Sequence, residues 1–273
     1  MVAFDRFLAR LVRERPRIWL IKGGFALQLR LRERARTTRD IDAAITREVG
    51  REEITRILRR AAAKDLGDWF DFEVQEPSEV ATGAPRGGWR FPIRCLLDGR
   101  VFEMFHLDVG QGDPVPGAPE RLTGPRLLDF AGVSPARVPC YPLSAQIAEK
   151  LHAYTRPYRG GGSSRVRDLA DILLIASLGS LLKKELERAL RETFEARTTH
   201  PLPRRFPKPP SRWVAPYRKL AKELGLGWTA INTAGRAAAR FLNPVLQGTA
   251  GSRWNPADWR WKEARPSRLT NPL

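Results

Sequence analysis

Residues 18–45 read IWLIKGGFALQLRLRERARTTRDIDAAI, and this stretch decides the fold. Its apolar run at 18–21 predicts a short buried strand, and the glycine pair Gly23 and Gly24 opens a segment rich in Ala, Leu, Gln and Arg that favours helix. The following DIDAAI predicts a second strand. Because alternate residues of a strand share a face, we expect Asp40 and Asp42 to direct both carboxylates at one spot.

The two aspartates and the two glycines together predict a site for a metal-bound phosphate. Mg²⁺ prefers hard oxygen ligands and in nucleotide chemistry takes one or two carboxylates plus substrate phosphates. Gly23 and Gly24 have no side chains, so backbone N–H groups at a helix N-terminus can approach the phosphates. With a third carboxylate on an adjacent strand, these residues predict two Mg²⁺ ions, or Mn²⁺ as the alternative metal, that hold the triphosphate of an NTP substrate.

A strand pair further along the chain supplies a third candidate ligand. The segments FDFEVQE, WRFPIRCLL and VFEMFHLDV predict three strands, and the dipeptide Asp98-Gly99 predicts a tight hairpin between the last two. Counting from that turn places Asp108 on the same face as Met104 and His106. We expect Asp108 to complete the metal site, although an aspartate before VGQGDP can also simply initiate a turn.

Length and charge limit the class of protein. A chain of 273 residues with 42% hydrophobic residues can build a core, and its length predicts two lobes. The net charge of +18 predicts attraction to polyanions, chiefly nucleic acid, with a membrane surface as the weaker alternative. No apolar run approaches the length of a bilayer span, which predicts a cytoplasmic protein without a membrane partner. The two cysteines and three histidines lack the spacing of a zinc site.

The second half of the chain predicts helices. We expect a mixed α/β lobe at 1–140, an all-helical lobe at 141–247 that includes a proline-rich basic connection at 199–212, and a Trp/Arg-rich tail at 248–273. Ser144 is a candidate N-cap, and Gly179 is expected to separate two helices. The tail tryptophans, Trp254, Trp259 and Trp261, could stack on unpaired bases, but we favour their docking on the protein itself.

The chain resembles the AbiEii/AbiGii-type nucleotidyltransferases, which serve as toxins in toxin-antitoxin and phage-defence systems. The resemblance covers roughly residues 17–246 and rests on LIKGGFALQL, RTTRDID and AEKLHAY with the later RDLAD. The residues that carry it are Lys22, Gly23, Gly24, Arg36, Thr38, Asp40, Asp42, Lys150, Arg167, Asp168 and Asp171.

This resemblance implies a DNA polymerase β-like nucleotidyltransferase core that transfers a nucleoside monophosphate from an NTP and releases pyrophosphate. It implies that Asp40 and Asp42 bind the metals, that Lys150 contacts the triphosphate, and that Asp168 lies at the edge of the active site. Thr38 and the glycine pair join the nucleotide-binding residues. The implied acceptor is an RNA, with a tRNA 3′ end preferred, and an antitoxin protein is a further implied partner.

Other readings remain open beside these. Lys150 can be a surface lysine, and Asp168 and Asp171 can be helix-surface acids that pair with Arg165 or Arg167. The acceptor can be a protein hydroxyl or a small molecule. A protein from another class, a catalytically inactive nucleic-acid-binding protein with the same fold, would keep the basic surface but would not need carboxylates where phosphates approach.

Overall fold

The computed structural model describes residues 1–32, 38–79, 84–157 and 165–263. The chain divides into two compact units. The first unit comprises residues 1–146 and 195–199, and the second comprises 147–194 and 200–273. The domain borders that composition predicts at residues 140 and 247 stay predictions.

The first unit combines helices with a mixed sheet. Its helices are α1 Val2–Glu14, α2 Gly23–Leu31 and α3 Arg51–Ala62. Its strands are β1 Trp19–Lys22, β2 Asp40–Ile45, β3 Phe70–Val74, β4 Ser78–Glu79, β5 Gly88–Leu97, β6 Arg100–Gly110, β7 Glu120–Thr123 and β8 Arg137–Cys140. Segment α2 is a helix even though its apolar residues alternate as in a strand, because Ala, Leu, Gln and Arg are strong helix formers.

All eight strands join one sheet in the order β3-β5-β6-β2-β1-β8-β7, and β4 pairs with β5 off this path. Strands β2 and β6 run parallel, as do β1 and β8, and the other pairs are antiparallel. The mixed sheet confirms the predicted fold class. Strand β2, which carries the DIDAAI motif, lies near its middle between β1 and β6.

The hairpin between β5 and β6 turns at the predicted dipeptide. Asp98 and Gly99 both have positive φ, at 51° and 71°, which is the conformation of a two-residue turn of type I′. Strands β5 and β6 pair in antiparallel register from this turn back to Gly88 and Gly110, with one irregularity at Cys95/Leu96. Strand β6 also pairs with β2, and this second pairing brings Asp108 beside the middle of the sheet.

The core of the first unit covers one face of these strands. Ile41 and Ala43 of β2 and Phe105, Leu107 and Val109 of β6 are buried there with apolar residues of α1 and α3. Because side chains alternate along a strand, the even-numbered residues of β2 and β6 lie on the opposite face. This alternation separates the packed core from the aspartates.

The second unit is mainly helical. Its elements are α4 Leu143–Thr155 and α6 Lys183–Arg197, each of which has one end in the first unit, then α5 Val166–Leu178, α7 Val214–Glu223, α8 Ile231–Leu246, β9 Arg253–Asn255 and β10 Arg260–Lys262. Helix α5 ends before Gly179, as predicted. Helix α4 begins at Leu143, so Ser144 lies inside its first turn and the N-cap prediction for Ser144 is wrong.

The Trp/Arg-rich tail forms a small hairpin against the helices of its own unit. The indole N–H groups of Trp254, Trp259 and Trp261 donate hydrogen bonds to backbone carbonyls of Ala176, Ala237 and Phe241, at 2.8, 3.0 and 2.7 Å. Docking of the tryptophans on the protein is therefore confirmed, whereas strands β9 and β10 were not expected from sequence. Residues 264–273 of the predicted tail lie outside the described residues.

Within the described ranges, no helix combines the length and the apolar character needed to cross a bilayer.

Candidate active site

The two aspartates of DIDAAI lie where the sequence predicts them. Asp40 is the first residue of β2 and Asp42 the third, and both are partly exposed on the face opposite the core. The hydroxyl of Thr38 donates a hydrogen bond to the backbone carbonyl of Asp40, at 3.1 Å, which holds the entry to the strand. Arg36, which belongs to the same motif, lies outside the described residues.

Gly23 makes room for the carboxylate of Asp42. Strands β1 and β2 place Lys22 opposite Asp42, and Gly23 follows Lys22 as the first residue of α2. A Cβ atom on Gly23 would lie 1.9 Å from Oδ2 of Asp42, and the φ of Gly23 is +63°. Gly24 continues the helix and is buried. Gly23 therefore lets the Asp42 carboxylate pack against the start of a helix, which is a role that the sequence reasoning did not give it.

Asp108, the predicted third ligand, is held by an arginine. It pairs in register with Asp42 of β2 on one side and with Arg90 of β5 on the other. Its two carboxylate oxygens each accept a hydrogen bond from the Arg90 guanidinium, both at 2.7 Å. The pKa of Arg90 is raised, first by this hydrogen bond and also by the charges of Asp108, Asp40 and Asp42. Arg90 thus lies in the electrostatic field of all three carboxylates.

His106 is a neighbour that the sequence reasoning left without a role. It pairs in register with Asp40, and its Nδ1 lies 3.1 Å from Oδ1 of Asp40. Both side chains are nearly half exposed. The only sequence signal was its position two residues before Asp108, on the same face of β6. The contact restricts the orientation of the Asp40 carboxylate.

Lys22, the residue before the glycine pair, belongs to a buried triad of charged side chains with Asp113 and Arg197. Nζ of Lys22 lies 2.5 Å from Oδ2 of Asp113, and Nη2 of Arg197 lies 2.8 Å from Oδ1 of the same carboxylate. All three charged groups are more than nine-tenths buried. Burial opposes ionisation of Asp113, but the charges and hydrogen bonds of Lys22 and Arg197 outweigh it, and its pKa lies below the usual range. Neither Asp113 nor Arg197 carried a sequence signal, because their proximity arises only on folding.

Replacement of Asp113 by asparagine is expected to destabilise the first unit. The variant leaves two buried cations without their counter-charge, and breaking such a group costs about 3 to 5 kcal/mol. Because the pKa of Asp113 is lowered in the folded state, its stabilising contribution is present above the ordinary value of 3.8 and is lost as the pH falls through the lower folded value. Urea denaturation at neutral pH and at pH below 3.8 measures both effects.

A matched control for that variant is Asp129→Asn, which removes an exposed aspartate paired with Arg126. Exposed pairs contribute roughly 0 to 1 kcal/mol. Equal unfolding free energies for the two variants at neutral pH would show that the triad does not stabilise the fold.

The second unit contains its own cluster of predicted site residues. Nζ of Lys150 on α4 lies 2.7 Å from Oδ2 of Asp171 and 3.4 Å from Oδ1 of Asp168, both on α5. Arg165 also pairs with Asp168, at 3.3 Å. Burial, aided by the charge of Asp171, raises the pKa of Asp168 against the opposing charges of Lys150 and Arg165.

The burial of this cluster tests whether Lys150, Asp168 and Asp171 are ordinary helix-surface residues. Asp168 is 5% exposed and Asp171 is fully buried, so neither is an ordinary helix-surface acid. The Lys150 side chain is 16% exposed. Asp168 does pair with Arg165, as the helix-surface interpretation expects, but its burial does not fit that interpretation, and its pairing with Lys150 agrees with a role in supporting that lysine. The nucleotide-binding role of Lys150 stays a prediction.

The carboxylate pair of β2 suits a divalent cation. Asp40 and Asp42 present hard oxygen ligands on the partly exposed face, and the Asp42 carboxylate occupies the space that a side chain on Gly23 would fill. In the part of the chain that the structure describes, no group of three His, Cys, Asp or Glu side chains is arranged to hold a metal. The protein thus offers two carboxylates, a number that Mg²⁺ completes with substrate phosphates. A third-ligand role for Asp108, whose oxygens bind Arg90, stays a prediction.

The sequence matches the model of one known protein family over most of its length. Residues 6–237 match the model of the family described as nucleotidyl transferase AbiEii toxin of type IV toxin–antitoxin systems. Curated protein sequences give no significant match. The family match covers most of the chain and includes the glycine pair, the DIDAAI strand and the Lys150 cluster.

Solved structures provide a second comparison. MenT4, a nucleotidyltransferase toxin from Mycobacterium tuberculosis H37Rv, aligns with a TM-score of 0.56 at 20% identity, covering 91% of each chain. An antigenic nucleotidyltransferase-like protein from Paracoccidioides brasiliensis aligns at 0.43 and 19% identity, covering 81% of this chain and 90% of its own. The antibiotic-resistance factor ANT(2'')-Ia aligns at 0.38 and 20%, covering 72% and 91%. The first alignment shows a shared fold.

Proposed function

The chain belongs to the AbiEii family of nucleotidyltransferase toxins, and from this membership we propose that it transfers a nucleoside monophosphate from an NTP to the 3′ end of an RNA, with tRNA as the preferred acceptor. The family implies an NTP substrate, usually a divalent metal, and a cognate antitoxin. The observation that carries the proposal is the seating of Asp42 against Gly23 at the start of α2, with Asp40 on the same face.

Catalysis in this proposal consists mainly of positioning and charge neutralisation. Asp40 and Asp42 would hold Mg²⁺, which when bound supplies positive charge to the triphosphate and lowers the pKa of the attacking hydroxyl. Gly23 and the buried triad of Lys22, Asp113 and Arg197 keep β1, α2 and the Asp42 carboxylate in fixed positions. His106 orients Asp40. Arg90 partly neutralises the carboxylates, which lowers their mutual repulsion while no substrate is bound.

Lys150 is assigned to the triphosphate. A lysine ammonium is a compact charge that binds phosphate oxygens well, and the buried carboxylates of Asp168 and Asp171 hold it in one orientation. Asp168 is a positioning residue in this scheme, because it acts through Lys150.

Lys150→Ala is expected to lower transfer by about a hundredfold to a thousandfold and to raise the KM for the NTP, since it removes a charge that binds the triphosphate. Asp171→Asn is the comparison variant, because it breaks the same ion pair from the other side and keeps the lysine. Steady-state kinetics, with thermal unfolding of each variant, measure the difference. Equal losses of activity in the two variants would mean that Lys150 has only a structural role.

An RNA acceptor is favoured by charge. The net charge of +18 attracts a polyanion and repels a small cationic substrate such as an aminoglycoside. A protein hydroxyl is the alternative acceptor, and the basic surface alone would also suit an inactive nucleic-acid binder. The carboxylates at the proposed phosphate site argue for an enzyme, since a pure binder gains nothing from negative charge at that point.

The test is transfer of label from each of the four α-³²P NTPs, in separate reactions, to total cellular RNA in the presence of MgCl₂. We expect label on a tRNA-sized band with one preferred NTP, loss of label with EDTA, and recovery on adding Mg²⁺ or Mn²⁺. RNA oxidised with periodate, which lacks a free 3′-terminal diol, should accept no label. Label on protein, or on no acceptor at all, would contradict the proposed RNA acceptor.

A further inference from the structure

The charge of this protein is concentrated in one part of the second unit. Residues 200–247 contain nine Lys and Arg residues and one acidic residue, Glu223. The nine are Arg204, Arg205, Lys208, Arg212, Arg218, Lys219, Lys222, Arg236 and Arg240, and all are exposed. This basic segment comprises the end of the proline-rich connection together with α7 and α8.

Contacts within the second unit fix the connection along helix α8. The backbone N–H of Phe206 donates a hydrogen bond to Oδ1 of Asn243, at 2.7 Å. Pro209 packs so closely on Gly235 that a Cβ there would lie 2.7 Å from Cδ of the proline. The connection therefore runs along about two turns of α8, in the opposite direction. The Phe206 ring also stacks on Tyr154, with centroids 4.6 Å apart.

These contacts place cations from two elements on one surface. Phe206 is buried between the exposed residues Arg205 and Lys208, so the connection keeps its apolar side on the protein and its charges in solvent. On α8, Arg236 follows the glycine that contacts Pro209, and Arg240 lies one turn further on the same exposed helix face. The prolines restrict the backbone of the connection. Its charged residues therefore lose little backbone conformational entropy when a ligand binds.

The cations of this surface lack the acidic partners found elsewhere. Among the described residues, none of the nine cations of the basic segment forms an ion pair with a carboxylate. In the first unit, by contrast, Arg47 pairs with Glu53, Arg59 with Glu76 and Arg86 with Glu48. Clustered like charges repel one another and weaken the folded state, so a polyanion is the partner that such a surface fits.

We propose that the connection at 204–208 and the exposed face of α8 bind the phosphate backbone of the RNA acceptor. This inference rests on the proposed function for the identity of the polyanion, while the surface itself follows from burial and charge. RNA is favoured over an acidic protein because arginines and lysines spaced along an extended segment and a helix suit the regular phosphates of a backbone. The contacts carry no base specificity, so they position the RNA and leave selection of the acceptor to other residues.

The test removes four of these charges in the variant Arg204→Gln/Lys208→Gln/Arg236→Gln/Arg240→Gln. Binding of fluorescein-labelled tRNA is measured by anisotropy over a range of KCl concentrations. Each phosphate contact contributes about 0.9 to the slope of log affinity against log salt for a duplex, and we expect the slope to fall in magnitude by about 3 to 4. The matched control replaces Arg47, Arg51, Arg59 and Arg86 with glutamine, which removes the same formal charge from exposed arginines that already have acidic partners.

Equal salt slopes for the quadruple variant and its control would overturn the inference, because net charge alone would then explain RNA binding. It would also be overturned if the variant kept its tRNA affinity but no longer bound polyglutamate, which would assign the surface to an acidic protein. Thermal unfolding confirms that both variants are folded. The proposed function fails separately, if the wild-type protein binds tRNA but transfers no label to it.

Discussion

Asp42→Asn is expected to lower nucleotidyl transfer by about a thousandfold while the protein stays folded. Asparagine keeps the size of the side chain and its place against Gly23, but it removes the negative charge that would hold a divalent cation. The loss should appear in kcat, because the metal acts on the charge that develops during transfer. RNA binding should be unchanged, since the basic segment lies elsewhere in the chain.

The control for Asp42→Asn is Asp71→Asn, in which an exposed aspartate of β3 loses its charge in the same sheet. Single-turnover label transfer and tRNA anisotropy are measured for both variants. Full activity of Asp42→Asn in the presence of Mg²⁺ would exclude Asp42 as a metal ligand. Loss of tRNA binding together with activity would instead indicate that the variant is misfolded beyond the first unit, because the proposed tRNA-binding surface lies in the second unit.

Gly23→Ala is expected to lower transfer by about a hundredfold or more. The added methyl group would lie 1.9 Å from Oδ2 of Asp42, so the carboxylate must rotate away from the position it occupies beside α2. Alanine at a φ of +63° adds backbone strain of about 1 to 2 kcal/mol. The two effects differ in kind, because displacement of Asp42 alters the site whereas strain lowers only stability.

The control variant Gly132→Ala separates backbone strain from displacement of Asp42. Gly132 has a φ of +71° with open space around the position of a Cβ, so its replacement adds the same strain without touching a site residue. Gly23→Ala should lose at least as much unfolding free energy in urea as Gly132→Ala, because it adds a clash with Asp42 to the same strain, and only Gly23→Ala should lose activity. Comparable activity of Gly23→Ala and Gly132→Ala would show that the position of the Asp42 carboxylate against Gly23 is not important for transfer.

The elements around the DIDAAI strand were readable from the sequence because their signals are local. Alternation along β2 placed Asp40 and Asp42 on one face, and the Asp98-Gly99 turn set the register of β5 and β6, which placed Asp108 on the same face as Met104 and His106. The pairing of β6 with β2 that brings Asp108 opposite Asp42 could not be predicted, because no turn joins these two parallel strands. Helix propensity decided α2 against its strand-like alternation. The fold class and the family followed from these segments in combination with the Lys150 and RDLAD motifs.

The electrostatic partners were decided only by the tertiary structure. Asp113 binds Lys22 across 91 positions and Arg197 across 84, and Arg10 pairs with Asp68 across 58. No periodicity connects such residues, because each pair depends on chain segments that meet only when the sheet has formed. The contacts of Arg90 with Asp108 and of His106 with Asp40 were also decided only on folding. The sequence indicated the strands but not which side chains would meet.

The strand and helix types, the shared face of Asp40 and Asp42 and the family could therefore be predicted from the sequence, since these depend on residues within a turn or two of one another. Folding decided why Gly23 must be glycine and which cations hold the carboxylates, and among the described residues it showed which surface cations have no acidic partner. The physical reason is distance along the chain: steric fit and ion pairing act between atoms a few ångströms apart, and folding brings those atoms together from segments that are remote in sequence.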